Sequence, residues 1–195
     1  MEKEKISKKG LIIIGILCVL FITIAIIGFI LFAHRKEEVV IEEKNGGNVV
    51  LNYSSDTSFL NVQDAVPTTD AVGMATSEDG SYFDFSVDTR VSKAKNITYE
   101  LSIKKVKGNV NSGDIKVYLE KEDSGTYNSV LKPTVIKELK KKTDIGTKSG
   151  NMVLVKESLK KTTKDNYRIR TWISESSLVP NANYQLQIDI SAKAE

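Results

Sequence analysis

The feature that most constrains this chain is an uninterrupted apolar run that begins at Leu11 and ends at Ala33. The run contains no charged residue, and its roughly 23 residues would form a helix about 35 Å long at 1.5 Å of rise per residue. Such a helix can cross a hydrocarbon core of about 30 Å, where a backbone must satisfy its own hydrogen bonds. The sequence therefore predicts a transmembrane helix over residues 11–33, with the lipid bilayer as its partner.

Charged residues are distributed unevenly around this segment. Four lysines lie among the residues that precede it, whereas two basic residues and then several glutamates follow it. Because short cytoplasmic flanks carry an excess of Lys and Arg, we expect a single-pass protein of the cell membrane with a cytoplasmic N-terminus. The predicted organisation is a head over residues 1–10, the helix over 11–33, a stalk over 34–48 and an extracellular domain over 49–195.

Two other interpretations of the apolar segment stay open. A cleaved signal peptide has an apolar region of about 7–15 residues and small residues at its cleavage site, which this segment matches poorly. The basic pair and Gly10 before the run resemble the start of a type IV prepilin, although Gly15 stands where that family has a glutamate. An intact mass that includes Met1 would support the anchor, and loss of residues 1–10 would support a pilin-like filament subunit.

Beyond this segment the chain changes to period-2 alternation, the pattern of strands that bury one face. In the clearest example Tyr99, Leu101 and Ile103 alternate with polar residues such as Glu100, which we expect to face solvent. Similar stripes occur over residues 83–87, 97–103, 115–119, 167–173 and 184–190. Short strands with turn-rich connections and no sustained helical period predict an all-β domain, an antiparallel immunoglobulin-like β-sandwich.

A resemblance rests on the order of these strands. The segments GSYFDFSV, NITYELSI and YRIRTWIS, followed by a final alternating strand, resemble exported bacterial β-sandwich modules of the biofilm-fibre and camelysin group. The resemblance covers about residues 82–193. It implies a bacterial surface protein with an extracellular β-sandwich.

The residue types that most catalytic sites need are missing from the predicted extracellular domain. The only histidine, His34, borders the apolar run, and the only cysteine, Cys18, lies within it. A serine nucleophile would therefore lack a histidine base, and a zinc site would lack its ligands. Carboxylates such as Asp84 and Glu122 do not have the spacing of a calcium-binding loop. We expect a protein that is not an enzyme and that holds no cofactor and no metal.

The charge of the chain also narrows the possible partners. The formal net charge is +3 at pH 7, and most of it comes from the lysine-rich head, so the predicted extracellular part is nearly neutral. A nucleic-acid binder would carry a concentrated basic face, so we expect no nucleic-acid partner. What remains is a binding role in adhesion, matrix assembly or the capture of an extracellular protein or glycan. An accessory or sensor domain of a membrane complex is a further alternative.

One strand carries the candidate residues for such binding. Arg168, Arg170 and Trp172 alternate with the apolar Ile169 and Ile173, so they share the opposite face of that strand. An exposed Trp beside arginines is typical of an interface hot spot, which makes these three the candidate partner-binding residues. The alternative is that a neighbouring loop or the second sheet covers Trp172.

The predicted orientation can be tested on intact cells. Protease added outside should digest the chain beyond about Glu37 and leave a short membrane-embedded fragment, because the lysine-rich head is expected to remain inside. Lysed cells treated in the same way provide the control. Protection of the C-terminal domain until lysis would contradict the orientation.

Overall fold

The computed structural model divides the chain into two compact units, Met1–Arg35 and Lys36–Glu195. Of the first unit it describes only Leu20, Ile22 and Thr23, which are helical, so the rest of the predicted membrane helix lies outside the described residues. No helix within the described part is long and apolar enough to cross a membrane. The described residues are 20, 22–23, 38–43, 47–53, 58–75, 82–92, 96–141, 145 and 150–194.

The second unit consists mainly of β-strands. They are β1 (Glu38–Glu43), β2 (Gly47–Tyr53), β3 (Phe59–Ala65), β4 (Pro67–Thr68), β5 (Tyr82–Val91), β6 (Ile97–Gly108), β7 (Ile115–Asp123), β8 (Thr126–Val135), β9 (Met152–Leu159), β10 (Thr163–Ser174) and β11 (Ala182–Ala194). Two short helices interrupt this series. They are α1 (Asp70–Met74) and a 3₁₀ turn over Ile136–Glu138.

The strands form two sheets. The seven-stranded sheet has the order β1-β2-β5-β10-β7-β8, and the short β4 pairs in parallel with the end of β10. The four-stranded sheet has the order β3-β11-β6-β9. Apart from the β4 pair, the neighbouring strands are antiparallel. From β5 onward the chain changes sheet at most connections. The prediction of an all-β antiparallel sandwich is confirmed.

One apolar core lies between the two sheets. The stripe predicted in β6 is fully buried, and the inner faces of β7, β10 and β11 bury their predicted stripes as well. Each large apolar side chain that is removed from water contributes about 1.5–3 kcal/mol, so these faces supply the main driving force for folding. The inner faces predicted from the alternation are therefore correct for these strands.

Buried tyrosines connect the two sheets across this core. The Tyr53 hydroxyl on β2 donates to the Ile188 carbonyl on β11 at 2.8 Å. The hydroxyls of Tyr184 on β11 and Thr171 on β10 are 2.6 Å apart. Burial raises the pKa of Tyr184 to about 12, partly opposed by the hydrogen bond to Thr171, so the phenol stays neutral at ordinary pH. These two tyrosine hydroxyls thus find their partners in the opposite sheet.

Two segments differ from the sequence-based prediction. Glu38–Glu43, predicted as part of a stalk, instead form the edge strand β1 and pair with β2. Their glutamates suggested a solvated linker, but charged side chains are also common on edge strands. The prediction missed β8 as a strand because half of its side chains are exposed and the strand has no apolar stripe. A two-residue turn with positive φ at Ser124 (52°) and Gly125 (84°) connects it to β7.

Glu100 also departs from expectation. Its position in the register places it on the outer face of β6, as the alternation predicted, opposite Lys156 of β9 and Ser191 of β11. The residue is nevertheless fully buried. Alternation determines which face a side chain occupies, but it does not determine whether that face is covered.

The core can be tested with two substitutions in the same strand. Leu101 is fully buried, whereas Val106 is 44% exposed. Leu101→Asp should unfold the domain, because an unpaired buried charge costs several kcal/mol of a total stability of about 5–15 kcal/mol. Val106→Asp should change the thermal midpoint little. Equal midpoints for the two variants, measured by circular dichroism, would show that the register is wrong.

Candidate ligand-binding groove

A straight row of polar side chains crosses the outer face of the seven-stranded sheet. Ser86 on β5 pairs in register with Asn52 on β2 and with Asn166 on β10. On the other side of β10, Glu122 of β7 pairs with Tyr127 of β8. The Asn166 amide donates to Glu122 Oε2 at 2.7 Å, which joins the two halves of the row. Five neighbouring strands therefore contribute one side chain each.

These side chains line a groove with a volume of about 410 Å³. Asp88 and Lys164 extend its lining beside the row. The Asn52 amide donates to Asp88 Oδ2 at 3.1 Å, whereas Asp88 Oδ1 is buried and has no hydrogen-bond partner among the described atoms. A buried acceptor without a partner is energetically costly.

A stacked arginine borders the groove. Arg168 donates from Nε and Nη2 to the two carboxylate oxygens of Asp84, both at 2.8 Å. Its guanidinium also lies between two aromatic rings, 4.0 Å from the Tyr82 centroid and 4.3 Å from the Tyr127 centroid. The hydrogen bonds to Asp84 raise the pKa of Arg168 above its ordinary value, so the cation persists at every physiological pH. Arg168 thereby fixes the ring of Tyr127 at one end of the row.

Arg170 and Trp172, the other two candidate partner-binding residues, share the outer face of β10 with Arg168 but are buried. The Arg170 side chain is 3% exposed and donates to Glu120 Oε2 and to the Ala75 carbonyl, both at 3.2 Å. Trp172 is 4% exposed. Gly73 of α1 lies against its indole, so closely that any side chain at this position would overlap the ring.

Residues 66–75, the segment that covers this end of β10, are held by four contacts. Strand β4 pairs with the end of β10, and the Lys116 ammonium on β7 donates to Asp70 Oδ1 of α1 at 2.7 Å. Thr69 caps α1 by accepting from the Val72 amide at 3.4 Å. Arg170 contributes its bond to Ala75 at the far end.

The predicted face is thus correct, but an exposed patch of Arg168, Arg170 and Trp172 is not formed. Sequence alternation identified the face, and the local fold of residues 66–75 removed two of the three side chains from solvent. The row from Asn52 to Tyr127 was not predicted. Its members lie on the polar faces of strands whose residues alternate between apolar and polar. Only the strand order makes these residues neighbours.

The acidic residues on this face have side-chain partners. Asp84 pairs with Arg168, Glu120 with Arg170, and Glu122 with the Asn166 amide. Among the residues that the structure describes, no group of three or more His, Cys, Asp and Glu side chains could hold a metal ion. The polar side chains that line the groove are hydrogen-bonding groups.

Comparisons with known proteins add little to this description. No protein-family model matches the chain, and no curated protein sequence matches it. One similar solved structure is the crystal structure of CBM28, a carbohydrate-binding module described as specific for non-crystalline cellulose. The chains share 12% identity over 81% of this chain and 79% of the module, with a TM-score of 0.31. This similarity carries no functional argument, and the resemblance to the biofilm-fibre and camelysin group stays a prediction.

The covering segment leads to a prediction about Trp172. Trp172→Ala should lower the thermal midpoint by about 10 °C, because removal of a buried indole costs about 3–5 kcal/mol. Gly73→Ala should also destabilise the domain, since the new methyl group displaces α1 from the ring. Leu178→Ala is the control, because Leu178 is 97% exposed. An unchanged midpoint for Trp172→Ala would show that the residue is not part of the packed structure.

Proposed function

We propose that this domain is a binding module rather than an enzyme, and that its groove holds a carbohydrate-type ligand rich in hydroxyl groups. The observation that carries the proposal is the row of hydrogen-bonding side chains from Asn52 to Tyr127, which crosses five strands in register. Neighbouring strands are about 4.8 Å apart, so the row extends over about 19 Å. An extended chain of polar units matches that shape better than a compact ligand does.

The chemistry of the lining supports a hydroxyl-rich ligand. Asn52 and Asn166 each carry both donors and acceptors, Ser86 can act as either, and Glu122 and Asp88 are acceptors. A sugar hydroxyl also donates and accepts, so it can pair with each of these groups. A peptide or a nucleic acid would instead favour apolar pockets or a concentrated positive charge.

Tyr127 supplies the apolar part of the site. Sugar rings present a C–H face that packs on an aromatic ring, and Arg168 already holds the Tyr127 ring in place at 4.3 Å. Side chains that are fixed before binding lose little conformational freedom when the ligand arrives. The contacts of Arg168 with Asp84 and Tyr82 therefore favour binding without touching the ligand.

The cellular role in this proposal follows from the predicted anchor. An immunoglobulin-like sandwich held outside the cell by residues 11–33 would attach the cell to a glycan, as adhesion or matrix assembly requires. The lysine-rich head and the lack of His and Cys in the extracellular part support this role over that of an exported enzyme.

Binding can be measured by affinity electrophoresis of the full-length chain in gels that contain soluble polysaccharides, both neutral and acidic. At least one polysaccharide should retard the wild type. Asn166→Ala and Tyr127→Ala should each weaken that binding about tenfold or more, the equivalent of about 1.4 kcal/mol. Circular dichroism should confirm that both variants remain folded.

A matched control lies on the other sheet. The Gln185 amide donates to Asn61 Oδ1 at 2.7 Å, a contact of the same kind as that between Asn166 and Glu122. Gln185→Ala should therefore leave the retardation unchanged. The proposal is wrong if no polysaccharide retards the wild type, or if Gln185→Ala weakens binding as much as Asn166→Ala does.

A further inference from the structure

A lysine and two carboxylates meet between the two sheets at one end of the sandwich. Lys121 on β7 stands opposite Tyr167 on β10, whose side chain is fully buried in the core, so Lys121 also occupies the inner face. Asp165 stands opposite the buried Val87 and shares that face. From the other sheet, Glu157 on β9 pairs with the buried Tyr99 of β6. None of these three charged residues belongs to the groove described above.

The three charged groups are within reach of one another. Lys121 Nζ lies 3.1 Å from Asp165 Oδ2 and 3.6 Å from Glu157 Oε1. The side chains of Lys121 and Asp165 are only 23% and 12% exposed. The ammonium also lies 5.6 Å from the centroid of the Tyr167 ring. An amine is therefore held against a carboxyl group in a mainly aromatic setting, with a second carboxylate beside it.

A pair of tyrosines holds the carboxyl group of Asp165. The Tyr99 hydroxyl donates to Asp165 Oδ2 at 2.9 Å, and the hydroxyls of Tyr99 and Tyr167 are 2.6 Å apart. Because the one proton of Tyr99 goes to Asp165, Tyr167 must be the donor to Tyr99. Burial raises the pKa of both phenols, so both remain donors at ordinary pH.

From this arrangement we propose that Lys121 and Asp165 condense to an amide that covalently links β7 and β10, with Glu157 as the group that transfers protons. In the step, Nζ of Lys121 bonds to Cγ of Asp165, and the Cγ–Oδ1 bond breaks. Two of the three ammonium protons pass by way of Glu157 to Oδ1, which leaves as water. Oδ2 becomes the amide oxygen. The reaction is a condensation without redox change and consumes no other reactant.

The surroundings supply what such a step needs. Reacting groups that the fold holds in contact react as if at very high concentration. The negative charge that develops on Oδ2 during attack is met by the Tyr99 hydroxyl, a donor already in position. Glu157 Oε1 lies 3.6 Å from Lys121 Nζ. Glu157 can therefore take a proton from the amine as general base and deliver it to the leaving oxygen Oδ1 as general acid.

A covalent link of this kind also fits the composition of the domain. The only cysteine of the chain, Cys18, lies in the apolar run, so the domain contains no cysteine. No disulfide within the domain can therefore stabilise it. An amide between residues 121 and 165 would close a long loop and restrict the unfolded chain in the same manner as a disulfide.

Mass spectrometry of the purified full-length chain tests the proposal directly. Wild type should be lighter than its sequence mass by one water molecule, and Lys121→Arg should show its full sequence mass. The difference between these two masses is independent of any processing at the N-terminus. A proteolytic digest of wild type should contain one branched peptide that joins the segments around Lys121 and Asp165. A wild type whose mass difference from Lys121→Arg equals the side-chain difference alone has no amide, and the proposal is wrong.

Two further variants test the assigned roles. Glu157→Gln should leave most of the chain without the link, because the proton acceptor is lost while the side chain keeps its size. Tyr99→Phe should slow formation of the link, whereas Tyr184→Phe is the matched control because its hydroxyl bonds Thr171 instead. If the link forms fully in Glu157→Gln, Glu157 does not transfer the protons. Polysaccharide binding plays no part in this readout, so the proposal stands or fails independently of the groove.

Discussion

The structure depends on one constraint, which is that both sheets must bury their inner faces while the tyrosine hydroxyls on those faces still find partners. The apolar stripes satisfy the first requirement through hydrophobic burial. The tyrosines satisfy the second, because each phenol extends across the core to a group of the opposite sheet, as Tyr53 does with the Ile188 carbonyl. A phenol without a partner in this core would cost about 1–3 kcal/mol, so these contacts also fix how the sheets align.

Strand β10 lies between β5 and β7 in the seven-stranded sheet, and its two faces contribute differently to the structure. Its inner face adds Tyr167 and Ile169 to the core. Its outer face carries Arg168, which two aromatic rings and Asp84 hold in place. Because β5 and β7 pair with β10 on either side, the outer face becomes a rigid surface of polar side chains. Rigid strands position hydrogen-bonding groups more accurately than loops do.

That outer face is divided into a covered part and an open part. Segment 66–75 covers the end of β10, where Trp172 packs against α1 and is stabilising rather than available to a partner. The open part begins at Arg168 and continues along the row to Asn52. One end of β10 therefore stabilises the domain, and the rest of its outer face is open. The boundary between the two parts lies where α1 begins to cover the strand.

The sequence by itself determined the fold class and the inner face of the strands, because period-2 alternation places the apolar side chains on one face. Leu101 and Ile188 lie on that face and are buried. It also determined that Arg168, Arg170 and Trp172 share one face. Only the tertiary structure decided which of them is exposed, because the cover comes from residues about one hundred positions earlier. The row that begins at Asn52 and the approach of Lys121 to Asp165 likewise depend on strand order. Pairing between distant strands is set by the free energy of the whole core, and no local pattern encodes it.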